Sequence, residues 1–118
     1  MNKTIAGLSK RQQRLLDQLD RVELEMKRIG YWSEKPSDLL AQYQNGTLRS
    51  FTDAPSFEDW LQHVFLVNAR EAIRENNIPS QSQVGLMAMR QYDYHSSIPE
   101  AHPLMNLLGE FDALIEGS

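Results

Sequence analysis

Apolar side chains recur along the start of the chain at three- and four-residue steps: Leu8, Leu15, Leu19, Val22, Met26 and Ile29, with Gln12 in the remaining slot. That spacing keeps them on one face of a helix. It predicts a helix from about Ser9 to Ile29, roughly 30 Å long, stopped by Gly30. Leu16 borders the stripe and widens it beyond a two-stranded coiled-coil seam, so the face reads as core packing; Leu24 falls outside it and should be exposed.

Ser37–Gln44 predicts a short second helix capped by Ser37, with Leu39, Leu40 and Tyr43 facing inward. Asn45-Gly46 marks a turn, and Thr47–Pro55 reads as a loop anchored by Leu48 and Phe51. Ser56 then opens a central helix over Phe57–Glu75, with Asp59 three residues on in a variant of the capping box. On a regular wheel Phe57, Trp60, Leu61, Val64, Phe65 and Val67 share one broad face, while Leu66 and Ile73 fall nearly opposite. A helix apolar on two sides is expected between neighbours.

Asn76–Pro79 breaks the chain. Gln81–His95 fits neither period cleanly and is read as one short helix. The last helix starts near His102-Pro103, carrying a stripe of Leu104, Leu107, Leu108, Phe111, Leu114 and Ile115. No strand alternation or internal repeat is visible. The expectation is all-α: a single-domain bundle of about four main helices with short extra helical segments, spanning residues 1–118.

Composition narrows the function classes. The 118 residues include 41% hydrophobic and 24% charged side chains and no cysteine, which excludes disulfides, thiolate catalysis and cysteine-held metals. Unbroken apolar runs reach only four residues, as at Val64–Val67, and no signal-peptide pattern opens the chain, so a soluble cytoplasmic protein is expected. The net charge is −4, but residues 1–30 hold seven Lys/Arg against four Asp/Glu, so the acidity lies downstream.

Trp60-Leu61-Gln62 followed by Val64 and Phe65 carries a resemblance. Tyr31-Trp32, Phe57 three residues before Trp60, and the closing Leu107…Phe111-Asp112-Ala113-Leu114 support it. In order and spacing these pieces resemble the YqcC-like family of small bacterial helical proteins, over most of the chain. Two departures stand out. Relatives commonly have Pro-Arg where this chain has Val67-Asn68, so any bend there should be absent or milder; they often have a proline near Arg90. The resemblance implies a helical bundle without catalytic residues to carry over. Some relatives are encoded beside a tRNA pseudouridine synthase, which makes that enzyme a candidate partner.

The residues themselves offer three candidate sites and no cofactor motif. Lys10, Arg14, Arg21 and Arg28 form an outer stripe spanning about 27 Å, able to track an RNA backbone. Asp17, Glu25 and the arginines stand at spacings that would neutralise much of it. Trp32, Met87, Met89, Tyr92 and Tyr94 would form a docking patch for a protein partner, or for a second copy of this chain, if exposed. His63 and Glu71 would mark a polar cleft on the central helix; Asp59 and His63 share a face but lack further metal ligands, and otherwise read as a surface acid–imidazole pair. The leading expectation is a non-enzymatic interaction module. The alternative is an accessory factor in tRNA modification acting through the basic stripe.

Overall fold

The computed structural model describes residues 7–92 and 98–117, apart from the side chain of Phe51. Among these residues the elements are helices only. Helix α1 is Lys10–Arg28, and Ser9 caps it: Gln12 N–H donates to Ser9 Oγ (3.0 Å) while Ser9 N–H donates to Gln12 Oε1 (2.7 Å). At the other end Gly30 turns left-handed (φ 82°), and Tyr31 N–H returns to Met26 O (2.8 Å). Helix α2 is Leu39–Gln44, its first amide held by Ser37 Oγ.

The central helix α3 is continuous but not regular. It comprises an α-turn at Phe57–Trp60, a π-helical stretch at Leu61–Phe65 and an α-helix at Leu66–Arg74. Ser56 Oγ accepts Asp59 N–H at its start. Within the π stretch Leu66 N–H donates to Leu61 O, an i→i+5 bond that adds one residue to the turn. One extra residue retards everything downstream by roughly 100°, the rotation of one α-helical residue.

That lag corrects the regular-wheel expectation. Leu66 and Ile73 rotate in to join Phe57 and Leu61 in the core, while Val67 rotates out and is 43% exposed. The irregularity lies at Leu61–Phe65, upstream of the Val67-Asn68 position where the bend was in question. Asn76 ends the helix in the left-handed region (φ 56°), and Asn77 N–H bonds Ala72 O (2.8 Å).

Helix α4, Val84–Tyr92, has its N-terminus capped from afar. The Asp112 carboxylate accepts Val84 N–H (3.1 Å), Gly85 N–H (2.7 Å) and the Ser82 hydroxyl. Asp112 lies on the last helix α5, His102–Gly117, which a short 3₁₀ turn at Pro99–Ala101 precedes. Helix α5 packs on α4 and on α1; α1 also meets the second half of α3, and α2 lies against the π stretch.

The main core joins Leu15, Leu19, Val22 and Met26 of α1 to Leu104, Leu108, Phe111 and Ile115 of α5. Each fully buried leucine is worth about 1.5–3 kcal/mol. A smaller cluster gathers Leu39, Leu48 and Val64. Leu24 is exposed as expected; Tyr43, expected inward, is exposed as well. Three buried glutamines tie the helices: Gln12 Nε2 to Ile73 O (2.8 Å), Gln18 Nε2 to Leu107 O (2.8 Å), and Gln62 to both backbone groups of Ser33.

Gly85 sits where α4 and α5 come closest. A Cβ there would stand 2.6 Å from Gly109 Cα, while one on Gly109 would meet nothing within 4 Å. Gly85→Ala should therefore destabilise the fold by roughly 1–3 kcal/mol despite alanine's better helix propensity. Gly109→Ala should be neutral or up to about 1 kcal/mol stabilising. Urea unfolding of the two variants checks the contrast, and equal midpoints would contradict the close crossing.

Candidate functional site

The basic row is less neutralised than its spacing predicted. Arg28 is clamped by Glu25 through two hydrogen bonds, which hold that carboxyl below its usual range. Asp17 instead accepts from Gln13, and Arg21 leans on Gln18 Oε1 at 3.4 Å. Lys10, Arg14 and Arg21 make no ion pair among the described residues, and all three are exposed. Arg14 and Arg21 line an open groove of about 680 Å³ between α1 and α5, with Asp17, Gln18 and Glu110 in its walls. On the neighbouring side of α1, Arg70 of α3 bridges Asp20 (3.0 Å) and Glu23 (2.8 Å).

The expected docking patch divides. Trp32 is half-buried, and the Lys27 ammonium stands 5.0 Å from its ring centroid, so one face of the indole is already covered. Met87 packs against the core, whereas Met89 is 44% and Leu86 37% exposed. Tyr94 lies outside the described residues. With Met105 of α5, Leu86 and Met89 line a shallow groove of about 550 Å³ floored by Gly85, Gly109 and Ala113. The i,i+3 spacing of Leu86 and Met89 was the available signal for Leu86, which the ambiguous periodicity of its segment hid.

No cleft joins His63 to Glu71. The π turn swings Glu71 to the outside of α3, where it is exposed. His63 and Asp59 are half-buried and line a polar groove with Asp38, Asp53 and Lys35, but no hydrogen bond or ion pair links them. Among the described residues no group of three His, Asp or Glu side chains could hold a metal ion.

A second cleft on α3 lies between its second half and α5. It measures about 310 Å³ and is walled by Trp60, Val64, Phe65, Ala69, Ala72, Ile73, Phe111 and Ile115, with Tyr43, Asn68, Pro79, Gln81 and Ser82 completing it. Trp60 and Phe65 bracket the π stretch with ring centroids 5.8 Å apart, and Phe65 meets Phe111 edge-on. Among the described residues no charged side chain lines it. A regular wheel places Asn68 and Glu71 together on this face; only the lag brings Asn68 to the cleft without Glu71.

No described helix is long and apolar enough to cross a membrane. A family model with the description tRNA pseudouridine synthase C matches residues 14–114. Neither the curated proteins nor the solved structures provide a match.

Tyr92, expected in the docking patch, is a core residue at 3% exposure. Its ring packs edge-on against Phe57 and beside Tyr31, and its hydroxyl donates to Glu58 Oε1 in the first turn of α3. Burial pushes the Tyr92 phenol far above its ordinary pKa, and the Glu58 hydrogen bond and charge push it further; burial, Glu100 and Glu58 raise Tyr31 as well. The unfolded chain therefore loses these protons first, near pH 10. Stability from Tyr92 should be fully present below that pH and lost as pH rises above it. Chemical unfolding at pH 8 and pH 10.5 should show a clear alkaline loss that Tyr92→Phe largely removes. An unchanged alkaline loss in that variant would contradict the assignment.

Proposed function

Because the chain belongs to the DUF446 family, described as tRNA pseudouridine synthase C, we propose that it is a non-enzymatic helical module that docks on a tRNA pseudouridine synthase. The observation that carries this reading is the α4–α5 face, where Leu86 and Met89 stand exposed beside Met105 over a floor of small residues. Flexible thioethers over a shallow groove suit the packing of a partner's helix or loop. Three of the half-buried carboxylates support the non-enzymatic part, being spent on structure. Asp112 caps α4, Glu58 accepts from Tyr92, and Glu23 binds Lys27 and Arg70. On this reading the module would act in the cytoplasm.

A second reading has its own observation in the cations of α1. Lys10, Arg14 and Arg21 stand exposed without an ion pair among the described residues, with Asp17 and Glu110 beside the two arginines, and would contact the tRNA backbone directly while the enzyme modifies it. The two readings differ in salt dependence and in the surface they need.

The test is binding of the full chain to a purified tRNA pseudouridine synthase from the same cell, with and without tRNA. Met89→Asp should weaken the protein complex by at least roughly tenfold, the scale of one buried methionine's transfer energy, without moving the unfolding midpoint. Arg14→Ala with Arg21→Ala should leave it unchanged. A complex that forms only with tRNA, falls steeply with salt and ignores Met89→Asp would favour the basic row. No complex in either condition would sink the enzyme-docking reading.

A further inference from the structure

The cleft beside Trp60 is independent of the docking face and of the basic row. Its walls are aromatic and aliphatic, and the π stretch sets Trp60 and Phe65 at its side. At about 310 Å³ it stands at the small end of ligand pockets, which run from roughly 300 to 1,000 Å³. That volume suits one ring system.

Two amides make the cleft more than an apolar hollow. Ser82 spends its hydroxyl on Asp112, but the Asn68 and Gln81 side chains hold no hydrogen bond among the described residues. Each amide offers donors and an acceptor together, the combination that reads a heteroaromatic edge. With no charged residue in the lining, a bound anion or cation would lose its hydration without compensation. We propose that this cleft binds a neutral planar ring bearing a donor and an acceptor on one edge, a nucleobase, stacked against the aromatic wall and read by Asn68 and Gln81. The base comes either from a free nucleoside or from an unstacked position in a single strand.

The chain has two tryptophans, so Trp32→Phe leaves Trp60 as the sole indole reporter. In that full-length background Trp60 emission is titrated with uridine, with adenosine, with a short single-stranded RNA and with toluene. A saturable change with at least one nucleoside is expected. Asn68→Leu, and separately Gln81→Leu in the exposed loop, should weaken it roughly three- to tenfold, the loss of one neutral hydrogen bond, with toluene unaffected. RNA binding tighter than the nucleoside and weakened by both amide substitutions would identify a strand as the source; equal affinity would identify the free nucleoside. No saturable change with any base, or nucleoside binding insensitive to both amide substitutions, would overturn the proposal.

Discussion

The bond from Leu66 N–H to Leu61 O sets the phase of the central helix, and the rest of the architecture follows from that phase. Had α3 been regular, Phe57 and Leu61 would face one way and Leu66 and Ile73 the other, so one pair would be left in water. Burying two further large aliphatic side chains is worth several kcal/mol, which offsets the poorer hydrogen-bond geometry of a single π turn. Ile73 then comes to rest where its carbonyl receives Gln12 of α1. The same rotation turns Val67 and Glu71 outward and opens the aromatic cleft beside Trp60.

Helix ends are held by side chains distant in sequence rather than by local caps alone. Asp112 neutralises the N-terminal amides of α4 from 28 residues away, and an ionised acceptor at a helix N-terminus is favoured by the dipole as well as by hydrogen bonding. It acts just where the glycine contact brings α4 and α5 closest, so the cap and the crossing reinforce each other. Arg11 does the reverse at the end of α5, its guanidinium donating to Ile115 O (2.7 Å) while its buried Nε has no partner among the described residues. Gln12 and Gln18 bind backbone carbonyls across helix pairs, and Gln62 binds the segment after α1 at Ser33, without burying charge, avoiding the desolvation penalty an ion pair would carry there.

These long-range groups mark the boundary of what the sequence expressed. Ser9, Gly30 and Ser56 were legible because their caps are local, and the stripes of α1 and α5 were legible because those helices are regular. The π turn was not, since an inserted residue leaves no compositional mark and every wheel position after it is misread. Nor was the cap of α4, because its acceptor belongs to another element. Gln18 and Gln62 look like surface residues until their carbonyl partners are known. Tyr92 looked like docking surface because neither helical nor strand period fitted its segment; burial and Glu58 give it a structural role instead. The basic row was legible as a row, yet its neutralisation was overestimated, because Asp17 and Arg21 each take a glutamine as partner.

Polar groups that have partners and those that lack them divide the molecule. Inside, Gln12, Gln18, Gln62, Tyr92 and Asp112 are all engaged, and a change at any of them would be felt as stability. At the surface, Lys10 and Arg14 carry charge without an ion-pair partner among the described residues, Met89 and Leu86 carry apolar area, and Asn68 and Gln81 carry amides without a hydrogen bond among those residues, beside aromatic walls. These are three chemistries on three faces. Helix α5 contributes to all three: Glu110 and Leu114 beside the arginines, Met105 beside Met89, and Phe111 in the cleft.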